Sequence, residues 1–278
     1  MAASVLARNR QALKGNVKFV FQPAEETAGG AQGMISDGVL EDPRVDAAIA
    51  LHIINTLEAG KVGVRPGAMF ASVDEFKITI RGLGGHAAHP EALIDPILVS
   101  AQAINALHHI VSRSVGPLRS AVLTVSTISG GTAFNIIPDE VEMKGTVRAF
   151  DDKTRDRVIQ RMEEVLAGVT SAMGATYEFE DIFQSPVVMN DPGITDLVRR
   201  VAVRLLGEDE IVECEPTTGG DDMAYFQQKV PGCYFIVGGA SRGPEPFGPH
   251  HSAGFDFDEE ALKVGLKVMC GAALEYLS

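Results

Sequence analysis

The chain has 278 residues, 45% of them hydrophobic, which is enough to bury one large core or two modest ones, so two domains are expected. Its 24 Lys and Arg against 37 Asp and Glu give a formal net charge of −13 with no basic cluster, which argues against a phosphate backbone as partner and for a small molecule. Cys214, Cys233 and Cys270 are far apart and odd in number, so neither a disulfide framework nor a thiolate zinc site is expected; a reducing cytoplasm fits, and no apolar run approaches a membrane span.

In chain order, the residues up to Leu13 read as a helix, and Val17 to Phe21 as a short buried strand ended by Pro23. Gln22-Pro23-Ala24-Glu25-Glu26 then places two carboxylates beyond that strand. Gly30 to Leu40 reads as a glycine-rich helix, and Asp46 to Leu51 as a second strand with His52 at its end. Strand, helix and strand alternate as in an α/β layer with a parallel sheet. Ligands of open α/β sheets bind beyond the carboxyl ends of the strands, where Glu25, Glu26 and His52 would stand.

From about Val73 the pattern becomes strand (Glu75 to Arg81), helix (Pro96 to Arg113), strand (Ala121 to Ile128), strand (Glu140 to Phe150), helix (Lys153 to Met173) and strand (Tyr177 to Phe183). This β-α-β-β-α-β order is ferredoxin-like and compact enough to be inserted whole into another domain. The expected division is therefore 1–72 and 185–278 as one catalytic domain, with 73–184 as the insert. In the last part Thr195 to Leu206 reads as a helix, Tyr234 to Val237 as a buried strand, and Asp258 to Leu277 as an amphipathic helix with an Asp cap.

Carboxylates and neutral imidazoles are the donors that a hydrolytic Zn²⁺ or Mn²⁺ requires. Adjacent residues on an extended stretch point to opposite sides, so one of Glu25 and Glu26 can hold a metal while the other works as a base. Taken alone, the pair reads as solvated charge, His52 as a hydrogen-bonded strand histidine, and His250 and His251 as loop residues. His86 follows Gly82, Gly84 and Gly85, a loop flexible enough to carry an imidazole to a site built elsewhere. Two other motifs fail on context. Gly82-x-Gly84-x-x-Ala87 lacks the helix of a dinucleotide fingerprint because Pro90 and Pro96 follow it. Gly239-Ala240-Ser241-Arg242-Gly243 lacks the helix of a nucleophile elbow because Pro244, Pro246 and Pro249 follow it.

The motifs together resemble the two-metal amidohydrolases that include hippurate hydrolase, indole-acetyl-amino-acid hydrolases and N-acyl-amino-acid deacylases. The resemblance rests on Gln22 to Glu26, Leu51-His52, Gly84 to Ala88 with Asp95-Pro96, Gly130 to Asn135 with Ile137-Pro138, Gly145 to Arg148, and His251 with Phe255. It implies a zinc-peptidase-like catalytic domain split by a ferredoxin-like lid that also makes a homodimer. It implies two divalent ions, of zinc, manganese, cobalt or nickel, held in part by Glu26, His52 and His251. Glu25 becomes the base that takes a proton from a metal-activated water attacking the amide of an N-acyl amino acid. His86 becomes the oxyanion donor, reaching across the dimer, with Asn135 near the same carbonyl. Arg148 is a candidate clamp for the substrate carboxylate, with a structural ion pair as the alternative.

The family also carries a His-x-Cys-Gly-His-Asp-like segment upstream of the Glu pair that this chain lacks. Met1 to Gly15 resembles the helix that follows that segment, so the expectation is a member without its N-terminal portion. The alternative from another class is an impaired homologue acting as a binding or dimerisation protein. Gly220-Asp221-Asp222-Met223 stands where a Ser-Glu-Asp-Phe-like segment is usual, and Glu91 and Ala253 are smaller departures.

Overall fold

The computed structural model describes residues 1–278 apart from Ala28, Pro244 and Glu245, so the part of the elbow argument that rests on Pro244 lies outside the described residues. The chain divides into two compact units, Met1–Met69 with Val188–Thr217 and Asp221–Ser278, and Phe70–Val187 with Thr218–Gly220. In chain order the first unit opens with α1 (Ala2–Arg8), α2 (Gly30–Ser36), β1 (Ala48–Ile54), β2 (Val62–Val64) and β3 (Gly67–Phe70). The second supplies β4 (Ser72–Arg81), β5 (Gly85–His86), α3 (Pro96–Ser114), β6 (Ala121–Ser129), β7 (Ile136–Ile137), β8 (Glu140–Ala149), α4 (Asp152–Ala172) and β9 (Thr176–Ser185). The first resumes with β10 (Val188–Asn190), α5 (Pro192–Leu206), β11 (Ile211–Glu213), α6 (Met223–Gln227), β12 (Gly232–Gly238) and α7 (Glu260–Tyr276).

The main sheet of the first unit has the order β1-β12-β2-β11. β1 runs parallel to β12, from Ala48 opposite Gly232 to Ile54 opposite Gly238, and β11 runs parallel to β2, but β12 and β2 are antiparallel. The expected parallel sheet is therefore mixed. A parallel return needs a long crossover, whereas β1 reaches β2 through tight turns closed by Leu57 N–H to Ile54 O and Lys61 N–H to Glu58 O. β12 is buried along its whole length, as an apolar central strand must be. Phe235 and Val237 from it pack with Val198 and Ala202 of α5 and Val264 and Val268 of α7. α5 starts where Asp191 accepts hydrogen bonds from the Gly193 and Ile194 amides, both at 2.9 Å, with Pro192 in its first turn.

Val17–Phe21 is not a strand, contrary to its apolar pattern. A strand exists through its ladder, and among the described residues none pairs with this stretch, which leaves Phe21 81% exposed. Lys18 instead ties it by donating from Nζ to the carbonyls of Val39 at 2.8 Å and Pro43 at 3.1 Å. The expected first helix is also shorter, ending at Arg8 before a single 3₁₀ turn.

The four-stranded sheet of the second unit has the order β6-β8-β4-β9, each neighbour antiparallel. Alternation builds its core. Phe76, Ile78 and Ile80 of β4 and Val141, Met143 and Val147 of β8 face Val99, Ala103 and Leu107 of α3 and Val158, Met162 and Leu166 of α4. The intervening residues carry cross-strand ion pairs such as Lys77 with Glu142 at 2.9 Å and Arg81 with Glu178 at 3.2 Å. Among the described residues, no helix is long and apolar enough to cross a membrane.

Candidate metal centre

The Glu25-Glu26 pair lies on one 3₁₀ turn, Glu25–Thr27, not on an extended stretch. The reason is local. Ala24 adopts a positive φ of 56°, its carbonyl accepts from the amides of Thr27 and Gly29, and Gly30 packs so close that a Cβ there would meet the Pro23 carbonyl at 1.7 Å. A non-glycine residue held in the left-handed region is strain that the surroundings must enforce, and such strain gathers at functional sites. Successive residues of a 3₁₀ turn diverge by about 120°, so the two carboxylates still part. Glu26 is exposed, with Oε2 at 3.8 Å from His251 Nδ1. Glu25 is half-buried and faces two aspartates.

One carboxylate oxygen each from Glu25, Asp221 and Asp222 falls within 4.8 Å of the others. Asp222 is fully buried and accepts from Gln22 Nε2 and, at 3.1 Å, from the Ala31 amide. Asp221 accepts from the Met223 amide at 2.8 Å and from the Tyr234 hydroxyl. Their oxygens are thus engaged with protein donors, while among the described residues no hydrogen bond reaches Glu25. Burial first, then the charges of Asp221, Glu26 and Asp222, push the Glu25 carboxyl up to about 7, where a base works best near neutrality. Asp221 is pushed up by burial and by Asp222, against its hydrogen bonds and the nearby His52 imidazole.

His52, expected to end its strand, lies inside β1, which runs two residues further, to Ile54. Its Nδ1 is 2.7 Å from the Ile53 carbonyl, which can only accept, so the proton sits on Nδ1 and the Nε2 lone pair is left to bind. The His250 ring stands 5.4 Å from His52 and 4.5 Å from Phe255, and its Nε2 is buried without a hydrogen-bond partner among the described residues. His251 takes a φ of 61° and turns its side chain outwards. The structure thus brings Glu26 to His251, and His52 to His250 and Asp221. It does not gather Glu26, His52 and His251 into one compact three-donor group; among the described residues that group is the three carboxylates.

The remaining candidates lie in the second unit. β5 pairs with β7, placing His86 opposite Ile136, and the Ala87 amide donates to the Asn135 carbonyl at 3.0 Å, so His86 and Asn135 are neighbours. His86 is exposed and its Nδ1 accepts from the Ala88 amide at 3.1 Å, which puts the proton of the neutral ring on Nε2, where it can donate. Arg148, half-buried on β8, donates from Nε to Thr146 Oγ1 at 3.0 Å and makes no ion pair among the described residues. Burial pulls its guanidinium pKa down, partly offset by the Asp74 charge.

Residues 1–275 match peptidase family M20/M25/M40. The chain belongs to that family. Among its relatives, an N-acetylcysteine deacetylase of Bacillus subtilis is 41% identical over 94% of this chain and 67% of its own length. IAA-amino acid hydrolase ILR1-like 4 of Arabidopsis thaliana is 40% identical over 99% of this chain and 63% of its own length. The crystal structure of the Bacillus subtilis YXEP protein, a dinuclear metal binding peptidase from the M20 family, superposes with a TM-score of 0.82 at 36% identity, over 99% of this chain and 69% of that one. This M20 chain therefore spans about two thirds of the length of the proteins it matches.

The donor chemistry of the M20 chain fits a divalent metal. Glu26 could supply oxygen, and His251 and His52 nitrogen; His52 already has its second nitrogen fixed by a carbonyl, as metal-bound histidines usually do. Asp221 and Asp222 are the residues that sequence reasoning passed over as a mere replacement. The signal was available: two adjacent acids between Gly219-Gly220 and the apolar run Met223 to Phe226 have little prospect of full solvation.

Proposed function

We propose that the chain takes part in hydrolysing the amide bond of N-acyl amino acids, with Glu25 as base and with Glu26, His52 and His251 holding divalent ions. The relatives support the substrate class, because N-acetylcysteine and an IAA-amino acid are both acylated amino acids by name. The observation that carries the reading is the contrast among three carboxylates: Asp221 and Asp222 spend their oxygens on protein donors, and Glu25 does not.

A divalent cation bound here would acidify water and polarise the amide carbonyl. Glu25 takes the proton of the attacking water and returns it to the leaving nitrogen, without which the amine is a poor leaving group. His86, with its proton on Nε2, donates to the oxyanion as charge develops, and Asn135 is held beside it. Among the described residues no acid forms an ion pair with Arg148, which supports a bidentate grip on the substrate carboxylate over a structural ion pair. The β-α-β-β-α-β order and the sheet order β6-β8-β4-β9 support the ferredoxin-like lid, and the outer edges of β6 and β9 offer it a route to homodimers. Three free cysteines suit the cytoplasm.

One observation favours a second reading, a binding or dimerisation protein: the side chains of Glu26 and His251 are each 75% exposed. Assay of N-acetyl amino acids with the zinc- or manganese-supplemented protein separates the two. Turnover abolished by a chelator and restored by metal is expected. A protein that dimerises but cleaves none of them would establish the second reading.

A further inference from the structure

We infer that Asn55 is a positioning residue that fastens the loop carrying His250 and His251 to the strand carrying His52. Asn55 is the first residue after β1 and is only 8% exposed. A buried amide must place its hydrogens on acceptors, and Nδ2 places both on one loop, at 2.7 Å from the Gly248 carbonyl and 3.1 Å from the Asp256 carbonyl. These carbonyls stand at the two ends of the segment 248–256, so one side chain closes its neck.

Among the described residues, the other hydrogen bonds that the segment makes over 248–255 are internal, and its outward contacts are those of His251 with Glu26 and of the His250 ring with His52. Inside it, the Gly248 amide donates to Gly254 O at 2.9 Å, the Phe255 amide to Ser252 O at 3.1 Å, and Ser252 Oγ to Pro249 O at 2.7 Å. All three contacts are internal and would move with the loop. Asn55 ties both ends to β1, and the consequence is visible where His250 meets His52. His251 needs the same restraint, because its φ of 61° is costly for a histidine unless the flanking backbone is fixed. Substitution by Asp would set an acceptor against two carbonyl oxygens, and Ala would leave both unpaired.

The inference rests on the metal-ligand reading of His52 and His251 only for its consequence in metal binding; the closure of the loop stands without it. Two measurements keep these apart. Amide hydrogen exchange would be followed on chelator-treated protein for the wild type, Asn55→Ala and Asn55→Ser, and zinc affinity by competition with a chromogenic chelator. In Asn55→Ala, peptides covering 248–256 should exchange about tenfold faster, the equivalent of roughly one net hydrogen bond, while 232–238 stays as protected as in the wild type. Asn55→Ser keeps one donor and should fall between, and it decides the matter if the alanine variant does not fold. Zinc affinity should fall about tenfold, as loss of an outer-shell partner commonly does. Unchanged exchange in 248–256, or equal loss of protection in 232–238, would overturn the inference, the latter by showing a general structural role. A wild type that binds no zinc refutes the ligand reading, and the exchange result still decides Asn55.

Discussion

The two units differ in where many of their polar side chains find partners. In the second unit several lie close in sequence or directly across a ladder: Asp95 caps α3 through the Ile97 amide, Asp151 caps α4 through Thr154, and Lys77 meets Glu142 on the next strand; the fully buried Asp74 is the exception, held at 2.6 Å by Arg155 of α4. In the first unit they join segments that are remote in sequence. Asp222 holds Gln22 and Ala31, Asn55 holds Gly248 and Asp256, and Asn190 donates to the carbonyls of Arg65 and Tyr234. A sheet with capped helices needs its pattern and little more, whereas a site assembled from loops needs one buried polar tie for each loop.

The comparison is broken most severely by removing function from the first unit while leaving its ties alone. Glu25→Gln should lower turnover of the metal-loaded protein by at least about a hundredfold with metal content unchanged, since only the proposed base is lost. Its fold should gain. In a chelated sample the wild-type carboxyl, raised from 4.5 to about 7 by burial and three neighbouring acids, is favourable to folding only while protonated. That contribution is lost as pH rises from about 4.5 through about 7, so wild-type Tm should fall across this window more than that of Glu25→Gln. Parallel Tm profiles for the two proteins would show that the carboxylates do not repel as described.

Cutting a tie comes next. Asp222→Ala removes a fully buried carboxylate with two donors aimed at it, Gln22 Nε2 and the Ala31 amide. A stability loss of about 3 kcal/mol is expected, the scale of two hydrogen bonds to a buried charge, read as a lower urea midpoint. Faster exchange should be confined to α2 and the Glu25 turn if the tie is local. A loss under about 1 kcal/mol would mean that the first unit does not depend on such links.

The same contrast explains what could be read beforehand. β4 and β8 alternate faithfully, and Asp95-Pro96 and Asp151 announce their helices, so the second unit's elements fall within a few residues of their expected bounds. The family resemblance, and not composition or order, singled out Glu25, Glu26, His52 and His251, because each stands in a short contiguous motif. Val17–Phe21 misled because apolarity describes burial and not pairing, and the mixed sheet was missed because β2 and β11 have three residues each. Asp221 and Asp222 carried a local hint, two acids beside an apolar run, but the Asp222 partners Gln22 and Ala31 are some 200 positions away, and no local period encodes that.

The smallest effect tests the second unit on its own terms. Asp151 accepts from the Thr154 amide at 2.9 Å and from Thr154 Oγ1 at 2.8 Å, and Arg119 lies 3.1 Å away. Asp151→Ala should cost about 1 kcal/mol at neutral pH, the usual worth of an N-cap, with unchanged metal content. The acid dependence has a definite sign. Burial raises the Asp151 pKa, but the Thr154 donors and Arg119 outweigh it and hold the carboxyl below its ordinary value of 3.8. A carboxyl lowered on folding contributes stability above its unfolded pKa and loses it as pH falls through the folded one. The gap between wild type and Asp151→Ala, measured by urea unfolding, should therefore shrink below about pH 4. A gap of 3 kcal/mol or more would place Asp151 among the long-range ties and erase the distinction between the units, because a cap that satisfies only the first turn of its own helix cannot be worth so much.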